Sequence, residues 1–263
     1  MVDANRDRSE WGDFLDQRMA EGLEWARWAV GCWSAFPVKD VPRPLVLVES
    51  RVRIEQGFDT VDAKIAFLGG CVEATVSLPD GVIEALGRGA HPSRRPPREP
   101  LVIDAANCEE AEFLTDRGPR RLPAWRLSAE HALGAIWVLD PGVTDWRPAR
   151  DAGVMPPQVQ GPGHRGGRRV EVDADDRSVL VHWLGGPPDN ERYRRTEVVE
   201  SDTAVAVVPV GEDVGPPGYR TAVGYVHRVP AVLREPLGAR VLVDLNGNPQ
   251  EAVRKVHSAQ SES

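Results

Sequence analysis

The pattern that most restricts this chain is a period of two in its C-terminal third. Val, Leu and Tyr alternate with polar residues through Thr203–Val210, Thr221–Val229 and Arg240–Leu245. Side chains of a strand point to opposite faces in turn, so this alternation predicts strands with one face buried. Gly215-Pro216-Pro217-Gly218 and Asn246-Gly247 interrupt it with turn residues. Upstream, Val170–Val172 and Val179–Trp183 flank Asp173-Ala174-Asp175-Asp176-Arg177, which reads as a hairpin. At least five short antiparallel strands at this spacing predict a β-sandwich-like domain over residues 170–256. Residues 257–263 are polar and read as a disordered tail.

The N-terminal end follows another period. From Trp11, apolar residues recur at Leu15, Met19, Leu23, Ala26, Val30 and Trp33, steps of three and four that lay one stripe along a helix. Ser9 can cap its start, and Pro37 stops it soon after its end. Trp25 and Trp28 lie off the stripe and widen the apolar face. Such a helix is clamped between layers of its own fold, or it pairs with a second copy to make a homodimer. Both readings stay open.

Between these ends the elements are shorter. Pro44–Ile54, with Leu45, Val46, Leu47 and Val48 in one run, suits a strand covered on both faces. Val61–Leu68, ended by Gly69-Gly70, reads as a second strand. A short helix opens at Pro79-Asp80 and runs through Leu86. Leu101–Ile103 and Ala135–Leu139 read as strands. Glu110–Thr115 and Leu122–Leu127 read as a hairpin about Asp116-Arg117-Gly118-Pro119. Residues 148–169 hold four Pro and five Gly and make the best linker in the chain. The expected fold is therefore α+β. A long N-terminal helix with a mixed or antiparallel sheet occupies residues 1–147, and the antiparallel β-sandwich-like domain follows.

Composition narrows the function classes. The net charge of −8 argues against nucleic acid as a partner, because such binding needs a cationic surface to displace counterions. The basic run Arg94-Arg95-Pro96-Pro97-Arg98 and the group Arg165, Arg168 and Arg169 lie in Pro/Gly-rich stretches and read as solvated loops. Cys32, Cys71 and Cys108 are odd in number and lack Cys-x-x-Cys spacing, which fits buried free thiols in a reducing compartment. The first residues are acidic rather than basic-then-apolar, and no window of about 18 apolar residues occurs. The expectation is a cytoplasmic protein with no membrane partner.

Three segments carry a resemblance. They are Lys64-Ile65-Ala66-Phe67-Leu68-Gly69-Gly70; Thr115-Asp116-Arg117-Gly118 leading to Leu122-Pro123-Ala124-Trp125; and Glu200-Ser201-Asp202-Thr203-Ala204-Val205 with Pro236-Leu237-Gly238-Ala239-Arg240. In these the chain resembles an actinobacterial protein family of unknown function. The last segment is similar to small β-domains of secreted and lipoprotein relatives of that lineage. Strand-end cysteines of those domains are replaced here by Pro187 and Tyr219. The resemblance implies structural motifs and no activity.

No constellation specifies a reaction. Cys71, after Gly69-Gly70, is the candidate nucleophile, with His131 or His182 as its base; the competing reading is a small buried hydrophobe. His182 and His227 fall within strands and have some chance of sharing a face. Asp173, Asp175 and Asp176 lack the Gly and Glu of a calcium loop, so no metal is expected. The Gly161-x-Gly163-x-x-Gly166 match has no strand before it and no helix after it, so no cofactor is expected. Trp125, Trp137, His182 and Trp183 are the candidate ligand-binding residues, as indoles near strand positions. These readings favour a non-catalytic binding or protein-interaction protein with an unknown protein or small-molecule partner. The alternative is a hydrolase-type enzyme whose site is assembled from distant residues.

Overall fold

A computed structural model of the chain describes residues 20–88, 98–148, 166–214 and 224–255. Strands take 45% of these residues and helices 14%, so the protein is mostly β. This corrects the expected α+β class led by a long helix. The first described helix, α1, covers only residues 20–31. The expected helical residues before it, the Gly215–Gly218 turn, most of the Pro/Gly-rich linker and the C-terminal tail lie outside the described residues.

Contacts divide the chain into two units. The first comprises Met1–Val48, Asp116–Gly118 and Trp146–Ser263; the second comprises Glu49–Thr115 and Pro119–Asp145. The first unit holds a four-stranded and a three-stranded sheet. The four-stranded sheet is built from β6 (Gly166–Val172), β7 (Ser178–Gly185), β10 (Tyr225–Val232) and β12 (Glu251–Arg254), in the order β10-β7-β6-β12. The three-stranded sheet is built from β8 (Glu191–Glu200), β9 (Ala204–Asp213) and β11 (Val241–Val243), in the order β11-β9-β8.

Strand β9 lies between two layers. Ala204, Ala206 and Val208 face α1, where they meet Trp25, Ala26, Ala29, Val30 and Trp33. Val205 and Val207 face the other sheet, where they meet Val170, Val172, Val179, Val181 and Ala231. Both faces are covered, which is why residues 204–208 carry no polar side chain. The small residues on the α1 side allow a close approach: a Cβ on Gly22 would stand 3.1 Å from Val208 Cγ1. From Leu23 onward the expected apolar stripe is spent inside this unit.

The C-terminal strands are not all antiparallel. β11 runs parallel to β9, and β12 runs parallel to β6. From β9 onward the chain alternates between the two sheets, so neighbours within a sheet are not joined by hairpins and need not be antiparallel. The Asn246-Gly247 turn forms as expected. Gly247 takes φ +73°, and the Asp244 carboxylate accepts the backbone N–H groups of Asn246 and Asn248. Fully buried Trp33 donates its indole N–H to the Gly247 carbonyl at 2.9 Å and packs edge to face with Phe36 and at a tilt against Trp146.

The second unit is a five-stranded sheet with two helices on one face. Its strands are β1 (Val52–Ile54), β2 (Val72–Ala74), β3 (Leu101–Thr115), β4 (Gly118–Ala129) and β5 (Ile136–Leu139), in the order β1-β5-β4-β3-β2. Helices α2 (Val61–Leu68) and α3 (Asp80–Arg88) pack Ala63, Ala66, Val82 and Leu86 against Leu101, Ile103, Leu127, Ile136 and Val138. The hairpin about Asp116-Arg117-Gly118 and the helix from Asp80 stand as expected. Residues 45 and 47 make only isolated bridges, and the strand expected from Pro44 is confined to Val52–Ile54.

Val61–Leu68 is helical, not the strand read from its apolar content. Thr60 Oγ1 accepts the Ala63 N–H at 3.1 Å as an N-cap. At the other end the N–H of Gly70 bonds the Phe67 carbonyl and that of Cys71 bonds the Ala66 carbonyl, with Gly70 at φ +68°. This is the helix-ending arrangement that places a glycine in the left-handed region. The apolar residues do not alternate, and the caps at both ends decide for helix.

Gly70→Ala is expected to lower stability by about 1–2 kcal/mol, read as a shifted urea midpoint. Trp33→Phe leaves the buried Gly247 carbonyl without its donor and is expected to cost about 1–3 kcal/mol by the same measurement. Trp33→Ala adds a cavity and is expected to cost about 3–5 kcal/mol.

Candidate functional site

The connection from β10 to β11, residues 233–240, has no regular secondary structure, yet its backbone is fully engaged. Every carbonyl from Leu233 through Arg240 accepts a hydrogen bond from an arginine side chain. Arg177, from the turn between β6 and β7, donates through Nε to Leu233 O at 3.1 Å and through Nη2 to Arg234 O. Arg240 turns back on its own loop, donating to the carbonyls of Glu235 at 2.6 Å, Pro236 at 2.9 Å and Leu237 at 3.4 Å. Arg117, from the β3–β4 turn, donates to Gly238 O and Arg240 O, each at 2.8 Å. Arg43 closes the set on Ala239 O at 2.9 Å. The planar guanidinium, with its five N–H groups, suits one side chain to several carbonyls.

The N–H side is held from the same turn. Asp176, at φ +56°, accepts the Leu237 N–H on its carbonyl and the Gly238 N–H on Oδ2, each at 2.7 Å. Leu233 and Leu237 are fully buried among the residues between the two sheets, so they anchor the loop.

Acids fix the arginines. Buried Asp116 accepts Arg43 Nη2 at 2.5 Å and lies 3.6 Å from Arg117 Nε. Burial pulls Arg117 below the usual arginine value, and Asp116 opposes that pull. Glu200 Oε2 accepts Arg240 Nη1 at 2.8 Å, and its Oε1 accepts the Arg234 N–H at 2.8 Å. Burial pushes the Glu200 carboxyl up, but the Arg234 N–H and the Arg240 guanidinium outweigh it, and the group titrates below its ordinary value of 4.5. Beside the loop lies a cleft of about 280 Å³ lined by Val38, Ser201, Asp202 and residues 235–240. The carboxylates of Asp202 and Glu235 are exposed at its rim. Neither has a hydrogen-bond or ion-pair partner among the described residues.

The residues singled out from the sequence lie elsewhere. His182 and Trp183 are consecutive on β7 and point to opposite faces. Trp183 is 6% exposed, within the core beside α1. His182 Nε2 lies 2.8 Å from Glu171 Oε1, and Arg228 and Lys255 flank the same carboxylate. The His182 hydrogen bond is the main cause holding Glu171 below the usual carboxylate range. His227 pairs with Trp183 across the sheet and so lies on the face opposite His182. In the second unit, Trp125 pairs with Val138 and Trp137 with Arg126, which puts the two indoles on opposite faces. Trp125 donates to Asp140 Oδ2 at 2.9 Å and Trp137 to Glu55 Oε1 at 2.7 Å. The indole N–H of Trp137, then the Ala135 N–H, hold Glu55 below its ordinary value.

Cys71 follows the glycine that ends α2 and packs beside the helices and sheet of its unit. The thiols are free but not buried as expected: Cys32 and Cys71 are half-buried and Cys108 is exposed. No histidine hydrogen-bonds its thiol among the described residues. His131 instead faces Asp59, 3.2 Å away. The aspartates of the β6–β7 turn are committed to protein groups. Asp175 accepts the N–H and hydroxyl of Ser178 and then the N–H of Arg177, which lower its pKa to about 2, and Asp173 pairs with Lys255.

Sequence reasoning missed Arg43, Arg117, Arg177 and Arg240 as a set. Each is a single arginine beside turn residues, and no spacing links them. The segments Glu200–Val205, Asp116-Arg117-Gly118 and Pro236–Arg240, quoted above for their resemblance, do meet at this loop.

Glu200→Gln is expected to cost about 3 kcal/mol at pH 7, because Arg240 stays buried without its counter-charge. A carboxyl whose folded pKa is depressed contributes stability above its unfolded pKa and loses it as pH falls through the folded one. The parent protein should therefore lose stability below about pH 4.5, and Glu200→Gln should show a shallower loss there, read by denaturant unfolding at stepped pH.

No protein-family model, no curated protein and no solved structure matches this chain.

Proposed function

We propose that this protein is a non-catalytic binding protein of the cytoplasm and that its ligand or protein partner docks at the cleft beside the 233–240 loop. The observation behind this reading is the arginine clasp: an irregular, partly exposed loop whose every carbonyl is held by a guanidinium. Ordering a loop on binding costs affinity, and a loop already fixed in one shape avoids that cost. Four arginines and two buried acids are a large commitment to one connection. Arg177 and Arg117 reach it from turns remote in sequence. The acidic net charge supports a partner other than nucleic acid.

The test is a titration of the isotopically labelled full chain with a panel of capped amino acids, short peptides and small metabolites, followed by NMR. Binding at the cleft is expected to move the amide signals of Ser201, Leu237, Gly238 and Ala239 in a saturable way. Arg177→Ala frees two loop carbonyls and is expected to weaken that binding about threefold to tenfold while leaving the fold intact. Turnover of hydrolase substrates that Cys71→Ala abolishes would overturn the reading in favour of an enzyme.

A further inference from the structure

Resting on that reading, we infer that the cleft receives the side chain of a lysine or arginine from a partner protein. Room is the first argument. At about 280 Å³ the cleft lies at the lower end of the range for small-molecule sites and admits one long side chain entering from the surface. Its lining is the second. Val38, Pro236, Leu237 and Ala239 supply apolar atoms, and Asp202 and Glu235 stand exposed at the rim. An apolar wall with carboxylates at its edge matches a methylene stem that ends in a cation.

Charge is the third argument. Among the described residues Arg240 is the only cation in the lining, and its guanidinium is occupied by Glu200 and by the carbonyls of Glu235 and Pro236. The buried acids of the clasp, Asp116 and Glu200, are consumed by arginines of this chain. Asp202 and Glu235 are not. Among the described lining residues they are the uncommitted charges, both negative: Glu235 on the loop that the clasp holds, and Asp202 on the β8–β9 turn, whose Ser201 carbonyl accepts from Arg240.

The experiment titrates the full-length labelled protein with Nα-acetyl-lysine methylamide and Nα-acetyl-arginine methylamide. The neutral norleucine analogue and the anionic glutamate analogue run in parallel. The basic compounds are expected to move the amides of Ser201, Leu237, Gly238 and Ala239, and to bind about tenfold more tightly than norleucine. Their affinity should fall as salt is raised. Asp202→Asn combined with Glu235→Gln changes two exposed side chains outside the clasp, and it should abolish the preference for the basic compounds while the spectrum stays folded.

Equal binding of norleucine, tighter binding of the glutamate analogue, or a preference that survives the double substitution each overturns the basic-side-chain assignment. In those cases the docking site itself stands. No shift with any of the four compounds also overturns the assignment, and the broader panel above then decides whether the cleft binds anything.

Discussion

Asp116 is the residue on which the first unit depends most. Its carboxylate, almost wholly buried, carries Arg43 and Arg117, and those two guanidiniums hold the far end of the 233–240 loop. Its backbone is used as well: its N–H bonds Val46 O and its carbonyl accepts the N–H of Ala252, within edge strand β12. One residue therefore joins the segment after α1, the β10–β11 connection and β12. Removing its charge would leave two arginines beside each other in a poorly solvated place, which is far more costly than the loss of an exposed ion pair. Glu200 performs the same service for Arg240 at the near end of the loop. The irregular loop is fixed by charge and hydrogen bonding, where the strands around it are fixed by burial.

The remaining architecture follows from how closely α1 can approach β9. Gly22, Ala26 and Ala29 on the helix meet Ala204, Ala206 and Val208 on the strand, and the indoles of Trp25 and Trp33 fill the space to either side. Small residues set the distance between layers, and large ones close its margins. Trp33 adds direction through its bond to Gly247 O, which ties the residues just after α1 to the Asn246-Gly247 turn.

The strands were the most legible part of the sequence. The Val170–Trp183 hairpin, the turn at Asp116-Arg117-Gly118 and the Asn246-Gly247 turn all carry strong local signals, and all form. The β content exceeds the expectation because long polar strands carry little apolar alternation: Leu101–Thr115 is one strand of 15 residues, and Glu191–Glu200 is another with charged residues along its length. At Val61–Leu68 the opposite holds, and the caps at Thr60 and Gly70 outweigh the apolar content. Strand direction could not be read either, since an alternating pattern is the same for parallel and antiparallel neighbours. The candidate site was the least legible. An arginine that bonds backbone carbonyls leaves no periodicity, and its partners lie scores of residues away, as in Arg43 with Ala239 and Arg117 with Gly238. Tryptophan is conspicuous by size in a sequence, yet Trp183 is core and the indoles of Trp125 and Trp137 are tied to Asp140 and Glu55.

The order of the chain bears on how the molecule is made. Apart from the three residues of the Asp116 turn, the second unit occupies one continuous stretch, Glu49 to Asp145, so its sheet and helices are complete once that stretch has left the ribosome. The first unit is not. Its opening helix must wait for β9 and β11, and Trp33 must wait for Gly247, the bond between them spanning 214 positions. During synthesis the aromatic face of α1 is thus without its full set of partners until β9, β11 and Gly247 have been added. That interval is when this protein is most exposed to unwanted association.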